Sequence, residues 1–318
     1  MEFVSWHAGA DYLFLGVSWR TGAPCLDLVD VATGSPYQFP LFRKRLSFKR
    51  GTPGKFCIGR FSIVAETSTE QVPCPAQRLA ERGGQCEACA AQDEFKLIHH
   101  VHSGGNATPA LTRYVAQPHW VYIATFADAT CKVGTAAEMR KKSRLDEQGP
   151  IMASYVAHVA DGKVARYIED SVTRNLEVSQ FKRGAAKVAA LTSDFDCRVI
   201  EEQHVKIVER ARELVEDWAR RGSGISPLTE PWSRPQEMGA FLGPRQAGGW
   251  TPYPHDLQTE QHGLLVDACA GQGLLARTGE SMTDDDVHYA VDLGKLKGLR
   301  VVAGDYSSPE ASVQSALF

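Results

Sequence analysis

The sequence predicts an α+β protein in which a central α/β unit is flanked by small antiparallel β modules and preceded by a cysteine-rich loop region. Three observations support this fold class. Short apolar segments separated by Gly and Pro occupy both ends of the chain. Residues 119–176 alternate strand-like and helix-like patterns, and residues 67–105 carry cysteines and histidines with little apolar periodicity.

The length and composition predict several modules rather than one. A chain of 318 residues with 43% hydrophobic content can bury a sizeable core and is expected to divide into two or three units. The predicted segments are an N-terminal β module at 1–65, a cysteine-rich zinc-binding segment at 66–118, an α/β core with its following amphipathic helix at 119–221, an irregular arm at 222–262, and a C-terminal β module at 263–318.

Charge and hydropathy limit the classes of protein to consider. The net charge of -3 gives no overall attraction to nucleic acid. No run of eighteen apolar residues is present and the N-terminus lacks the pattern of a secretory signal, so we expect no membrane partner and a cytoplasmic location. In that compartment the eight cysteines are expected to be metal ligands, buried small residues or catalytic thiols rather than disulfides.

Four cysteines have the spacing of a metal site. Cys57, Cys74, Cys86 and Cys89 form a C-x16-C-x11-C-x2-C pattern, which predicts a structural Zn²⁺ that holds a segment too polar to fold around an apolar core. In the alternative, Cys57 is simply buried and a histidine supplies the fourth ligand, from the set His99, His100 and His102. Cys25, Cys197 and Cys269 lie in apolar runs and are expected to be core residues.

The central unit is predicted element by element from its periodicity. The order is strand (VYIATF), strand (TCKVGTA), helix (AEMRKKSRLDEQ), strand (ASYVAHVA) and helix (VARYIEDSVTRNLE). A long amphipathic helix, HVKIVERARELVEDWARR, follows. Its predicted core face consists of Val205, Val208, Ala211, Arg212, Val215 and Trp218.

This order of elements resembles the GIY-YIG nuclease core. It is similar in particular to an uncharacterised bacterial family that joins such a core to cysteine-rich metal segments. The elements that carry the resemblance are HWVYIA, KVG and RLDEQG, followed by Glu169 in the second helix, and they cover His119 to about Asn175.

The resemblance implies phosphodiester chemistry and assigns roles to residues. Tyr122 would activate or position the nucleophile, Arg144 would stabilise the phosphate, and Glu169 would hold a divalent ion, Mg²⁺ or Mn²⁺. The tyrosine of the second motif is replaced by Lys132, which could be a general base, an anion ligand or a solvated edge residue. His119 could carry a proton if a bulge brought it to the face of Tyr122.

Other interpretations stay open from the sequence. Tyr122 could be a core residue with its hydroxyl bonded to the backbone, and Glu169 could pair with Arg166 or Arg144. The main functional prediction is a divergent enzyme acting on a phosphodiester of nucleic acid. One alternative is a small-molecule enzyme performing hydrolysis, condensation or group transfer with Lys132, Cys131 or His119. Another is a non-catalytic nucleic-acid-binding module that uses the basic cluster Arg43, Lys44, Arg45, Lys49 and Arg50.

One motif is excluded by its position. VDACAGQG resembles the glycine-rich loop of many methyltransferases, but only 45 residues follow Gly273. A doubly wound sheet needs several further βα units after that loop. We therefore expect this stretch to be part of the C-terminal β module.

Overall fold

A computed structural model describes residues 7–65, 67–98, 101, 107–243, 250–278 and 287–310. The described residues contain fifteen β-strands and six α-helices, which confirms the α+β class. The strands are β1 (Asp11–Ser18), β2 (Cys25–Asp30), β3 (Pro36–Pro40), β4 (Arg45–Arg50), β5 (Arg60–Ala65), β6 (Ser68–Val72), β7 (His119–Thr125), β8 (Cys131–Ala137), β9 (Met152–Val159), β10 (Ile225–Pro231), β11 (Thr251–Pro252), β12 (Gln261–Ala270), β13 (Gly273–Arg277), β14 (Tyr289–Asp292) and β15 (Arg300–Ala303). The helices are α1 (Glu87–Ala91), α2 (Pro109–Val115), α3 (Lys141–Gln148), α4 (Gly162–Leu176), α5 (Gly184–Thr192) and α6 (Cys197–Arg221).

The chain divides into two compact units. The first unit comprises Met1–Ile58, Pro73–Cys86 and Gln236–Phe318, and the second comprises Gly59–Val72 and Glu87–Pro235. No helix among the described residues combines the length and the apolar composition needed to cross a lipid bilayer.

The first unit is built on a nine-stranded sheet with the order β11-β14-β13-β12-β4-β15-β1-β2-β3. Strands from both ends of the chain therefore share one sheet, in which β4 pairs with β12 on one side and β15 on the other. The sequence of β4 accounts for this central position, because Leu46, Ser47 and Phe48 are all buried in succession. The two terminal segments predicted as separate modules thus contribute strands to a common core.

The glycine-rich stretch in the C-terminal segment is a β-hairpin. Strands β12 and β13 pair with Ala270 opposite Gly273, and Gly271 in the turn has φ of 58°, a conformation that favours glycine. The carbonyl of Gly271 accepts a hydrogen bond from Trp19 Nε1 at 3.0 Å. The stretch therefore closes a hairpin in the first unit, as expected from its position in the sequence.

The second unit contains a four-stranded antiparallel sheet with the order β10-β9-β7-β8. Its core joins apolar residues of β7 to β9 with residues of α4 and α6, including Val121, Val133, Ile168 and Val208. Asp161 caps α4 by accepting from the backbone N–H groups of Lys163 and Val164. The predicted strand-strand-helix-strand-helix order is present, with a short 3-10 helix (Glu138–Arg140) before α3.

Helix α6 is amphipathic as predicted, and Val208, Ala211 and Val215 are buried as predicted, but Val205 and Arg212 are exposed. Val205, assigned to the core, is 46% exposed, whereas His204 and Ile207 are buried. The reason is a polar attachment, because the His204 ring bonds Thr125 Oγ1 at 2.8 Å and Ser154 Oγ at 2.9 Å. Cys197, also predicted as core, is exposed because it is the first residue of α6. Cys25 and Cys269 are buried as expected.

Candidate functional site

The structure brings four of the predicted site residues together in the second unit. Tyr122 lies on β7, Lys132 on β8, Arg144 on α3 and Glu169 on α4. Tyr122 and Glu169 are almost fully buried, and Lys132 is 7% exposed. Lys132 is thus a buried residue and not a solvated edge residue. After burial, Arg144 and Glu169 are among the groups that shift the pKa of Lys132 and that of Tyr122. The four side chains therefore form one electrostatic cluster.

The glycine of the KVG motif makes room for the Tyr122 ring. Gly134 lies directly opposite Tyr122 in the β7–β8 register. A Cβ added at Gly134 would lie 2.5 Å from both Cζ and the hydroxyl oxygen of Tyr122. No real side chain fits that space, so the tyrosine and the glycine are coupled across the two strands.

The Tyr122 hydroxyl is buried and makes no hydrogen bond of normal geometry. It is therefore not the backbone-bonded core tyrosine that the sequence allowed. Burial raises the pKa of Tyr122, and the nearby Arg144 guanidinium opposes this shift by favouring the phenolate. The net direction is upward, so Tyr122 stays protonated at neutral pH.

Glu169 forms an ion pair with Arg166, one helical turn away on α4. Nη1 of Arg166 lies 2.5 Å from Oε2 of Glu169. The i,i+3 spacing on one helix face brings the two side chains together. Burial raises the pKa of Glu169, and Arg166 and Lys132 lower it in part. The carboxylate therefore lies among cations.

This arrangement does not fit a preformed Mg²⁺ or Mn²⁺ site. Glu169 is held by Arg166, and Lys132 and Arg144 add further positive charge around it. No group of three or more His, Cys, Asp or Glu ligands converges on it within the described residues. A divalent ion would have to displace the arginine from a cationic neighbourhood, so we assign no step to a metal here.

His119 has the geometry of a neutral imidazole. Its Nδ1 lies 2.8 Å from the carbonyl oxygen of Gln117, so Nδ1 carries a hydrogen and donates it, and Nε2 is the nitrogen that is free of a proton when the ring is neutral. Burial lowers the pKa of His119, in spite of the hydrogen bond to Gln117. The β7–β9 register shifts between Val121 and Tyr122, and His119 lines the cavity described below whereas Tyr122 does not.

A cavity of about 200 Å³ lies next to this cluster. One wall is cationic, with Arg140, Arg144, Arg166 and Lys163, and His119 lies beside them. The remaining wall is largely apolar and includes Phe95, Ile98, Val101, Tyr114 and Val115. None of the described residues that line it is acidic, so the cavity is suited to an anion with an apolar or aromatic substituent.

Arg140 contributes a polar atom that is buried without a partner. Its guanidinium pairs with Glu147, but its Nε makes no hydrogen bond. A buried N–H without a partner is unfavourable unless a ligand or water accepts it. Arg140 and Arg144 both line the cavity, so two guanidinium groups lie at its surface.

Helix α3 explains the RLDEQG motif residue by residue. Leu145 is buried in the core, and Gly149 ends the helix in the left-handed conformation with φ of 61°. Each polar residue of the motif has a different partner. Arg144 lines the cavity, Asp146 accepts from Trp232 and Lys142, Glu147 pairs with Arg140, and Gln148 accepts from Lys132 and Lys187.

Three of the five residues of the N-terminal basic cluster make contacts within the first unit, whereas Arg43 and Lys44 are exposed. Arg50 donates to the carbonyls of Arg300 and Gly54, and Arg45 donates to the carbonyl of Tyr306. Lys49 lies over the ring of Tyr306. These contacts support a structural role for the cluster.

The four predicted cysteine ligands converge. All four are buried, and their sulfur atoms lie within 4.8 Å of one another, with Cys74 and Cys86 3.9 Å apart. A tetrahedral zinc with Zn–S bonds of about 2.3 Å requires sulfur separations of roughly 3.8 Å. The four thiols could therefore hold a metal ion such as zinc. The alternative ligands His99, His100 and His102 lie outside the described residues.

Sequence reasoning did not identify Arg140, Arg166, Lys163 and Lys187 as site residues. Arg166 was predicted only as a possible ion-pair partner of Glu169. Arg140 lies in the predicted helix AEMRKKSRLDEQ, where no role was assigned to it. Arg144 had a motif to mark it, whereas Lys187 lies outside every motif, on α5. Only the tertiary fold places it beside Lys132.

One comparison with known proteins gives a match. Residues 67–219 are similar to a family described as a protein of unknown function (DUF2797). No curated protein and no solved structure matches the chain. The matched range includes three of the four clustered cysteines and all of the residues of the candidate site. The resemblance to a GIY-YIG core stays a prediction.

Proposed function

We propose that the second unit binds a phosphodiester in the cationic cavity and cleaves it. The observation that carries this proposal is the presence of three arginines and one lysine, and of no acidic residue, among the described residues that line the cavity. Guanidinium groups suit the planar, bidentate recognition of phosphate oxygens.

In this mechanism the arginines stabilise the charge that develops on the phosphate. Arg144 and Arg166 donate to the non-bridging oxygens, in a partly apolar cavity where such interactions are stronger than in water. Nε2 of His119 takes a proton from the attacking water, whose oxygen bonds to phosphorus as the P–O bond to the leaving group breaks. Solvent protonates the leaving oxygen.

Tyr122 and Lys132 act as positioning residues in this proposal. Neither lines the cavity. Tyr122 lies beside Arg144 and stays protonated, and Lys132 helps to fix Gln148 at the end of α3. Their effect on cleavage would pass through the placement of Arg144.

Cleavage of labelled single-stranded, double-stranded and branched nucleic acids by the intact protein tests the proposal. Arg144→Gln is expected to reduce the rate by about 100-fold, as for loss of one transition-state donor. Arg220→Gln, an exposed change on α6, serves as the matched control and should have the wild-type rate. Each substrate is assayed with Mg²⁺, with Mn²⁺ and with neither, and the rate should not depend on the added ion. Absence of cleavage by the wild-type protein under all conditions would overturn the proposal.

A second candidate is action on a small phosphate ester, and the size of the cavity favours it. A volume of about 200 Å³ lies below the roughly 300–1,000 Å³ of common ligand sites and accommodates little beyond a phosphate and its substituent. Bis(4-nitrophenyl) phosphate is a suitable probe. Its hydrolysis, with loss of the rate in Arg144→Gln and no cutting of nucleic acid, would favour this candidate.

The cysteine cluster supports a scaffold role for a metal. We propose that Cys57, Cys74, Cys86 and Cys89 bind one structural Zn²⁺. Four buried thiolates close the tetrahedral shell and leave no open position for a substrate. The metal would fix a part of the chain with few regular elements, which explains why the segment carries little apolar periodicity.

A further inference from the structure

Two lysines share a single hydrogen-bond acceptor. Nζ of Lys187, on α5, lies 2.7 Å from Gln148 Oε1, and Nζ of Lys132, on β8, lies 3.1 Å from the same oxygen. Two ammonium groups that converge on one neutral oxygen repel each other. The fold thus holds two amines close together without a compensating charge at their shared contact.

The neighbouring charged groups do not relieve this repulsion. Arg144 on α3 and Lys182 before α5 are both close enough to disfavour the protonated form of Lys187. The carboxylate of Asp128 is taken by Lys182, at 2.5 Å. Within the described part of the chain, neither Lys132 nor Lys187 forms an ion pair with a carboxylate, although Glu169 acts on Lys132 from a greater distance. Lys187 also contacts the Phe126 ring, with Nζ 5.0 Å from its centroid.

This environment lowers the pKa of both lysines, and that of Lys187 more than that of Lys132. Burial, followed by Lys132 and Arg144, lowers the pKa of Lys187 to about 7. Burial, followed by Arg144, lowers the pKa of Lys132 to about 8. A desolvated amine next to another cation is the usual form of a nucleophilic lysine, and a protonated neighbour can donate to the carbonyl oxygen.

We propose that Lys187 is a nucleophilic amine that forms an imine with an anionic aldehyde or ketone, with Lys132 as its proton donor. Nζ of Lys187 bonds to the carbonyl carbon, and the carbonyl oxygen takes a proton from Lys132. The nitrogen then gives a proton to Lys132, which passes it to the hydroxyl group. The C–O bond breaks, water leaves, and the C=N bond forms as a protonated imine that returns its last proton to Lys132. The net change is amine plus carbonyl to imine plus water, without oxidation or reduction. The cations Arg144 and Lys132 select an anionic substrate.

Trapping with pyridoxal 5′-phosphate tests this inference, which does not depend on phosphodiester cleavage. The intact protein is incubated with the phosphorylated aldehyde at pH 7, the imine is fixed with borohydride, and the modified lysine is identified by peptide mapping. Lys187 should be labelled at least about tenfold faster than exposed lysines, because a larger fraction of it is neutral. Unphosphorylated pyridoxal should label it more slowly.

Variants separate this chemistry from general lysine reactivity. Lys187→Arg should remove the adduct with retention of the fold by circular dichroism, and Lys206→Arg, on the exposed face of α6, should leave it unchanged. Lys132→Met removes the adjacent positive charge and should shift the pH midpoint of Lys187 labelling upward. Labelling spread evenly over exposed lysines, or a Lys187 with the pH profile of an ordinary lysine, would refute the inference.

Discussion

At the scale of single residues, the site depends on a missing side chain. Gly134 has no Cβ, and the Tyr122 ring occupies the space that a Cβ would need. The ring in turn lies beside Arg144, whose guanidinium lines the cavity. A change at Gly134 is therefore expected to reach the cavity through the tyrosine.

Gly134→Ala should destabilise the protein. The new methyl group would lie 2.5 Å from the Tyr122 ring, so the ring or the strand must shift, at a cost of about 1–3 kcal/mol in the free energy of unfolding. Gly239→Ala is the control, because a Cβ there meets nothing within 4 Å. Urea unfolding of both variants measures the difference. Equal stability of the two would show that the Tyr122 ring is not confined by Gly134.

The Tyr122 hydroxyl gives a second prediction at this scale. Since the hydroxyl has no partner at normal hydrogen-bond geometry and lies beside the Arg144 guanidinium, Tyr122→Phe should change the free energy of unfolding by no more than about 0.5 kcal/mol. Tyr155→Phe is the matched control, because its hydroxyl donates to the Lys141 carbonyl at 2.9 Å and its loss should cost about 1 kcal/mol. A loss for Tyr122→Phe as large as that of the control would contradict the prediction.

At the scale of elements, helix α6 is attached to the sheet through a buried histidine. His204 accepts or donates hydrogen bonds at both ring nitrogens, to Thr125 of β7 and Ser154 of β9. Burial lowers the pKa of His204 to about 4, so the ring is neutral in the folded protein at pH 7. The unfolded chain has the ordinary value near 6.5 and binds a proton first as the pH falls.

The free energy of unfolding should therefore decrease between pH 6.5 and pH 4. Below 6.5 the unfolded state gains a proton that the folded state does not, which costs up to roughly 3 kcal/mol of stability by pH 4. His204→Gln keeps polar atoms but does not titrate, so it should flatten this part of the profile. Parallel pH profiles for the wild type and His204→Gln would be evidence against the assignment.

The elements themselves were largely predictable, because their patterns are local. The strand-strand-helix-strand-helix order follows from periodicity, and the cysteine ligands follow from spacing. The exposure of Val205 and burial of His204 were not predictable, since apolar periodicity cannot anticipate a histidine that bonds two strands far away in sequence. The role of Lys187 could not be predicted for the same reason, because its partner Gln148 lies 39 residues earlier in the sequence.

At the scale of the whole molecule, the two units are formed by different parts of the sequence. The first unit joins strands from both ends of the chain in one sheet, with β4 paired between β12 and β15. Repeated short apolar strands do not specify which distant strand will be the neighbour, so two modules were predicted where one sheet forms. The second unit is contiguous in sequence apart from the segment with β5 and β6. Its central order of strands and helices could therefore be predicted from sequence.

The cysteine cluster gives the prediction at this scale. The protein should contain one equivalent of zinc, and removal of the metal by a chelator should lower the midpoint of thermal unfolding, because metal binding contributes to folding. Cys74→Ser should have the same effect, since it removes a buried ligand. Cys197→Ser changes an exposed cysteine and should not. Metal-free protein with unchanged thermal unfolding would exclude a structural metal.

We propose that the cationic cavity holds a phosphodiester, and a binding titration measures this occupancy without depending on cleavage. A fluorescently labelled phosphorothioate oligonucleotide, which resists cleavage, is titrated with wild-type protein, Arg144→Gln and the control Arg220→Gln. We expect the wild-type protein to bind with an affinity that falls as salt is added. Arg144→Gln should reduce the affinity by at least about tenfold, as expected for loss of a charge-assisted hydrogen bond. Equal affinity of Arg144→Gln and the wild type, or no binding by either, would contradict it.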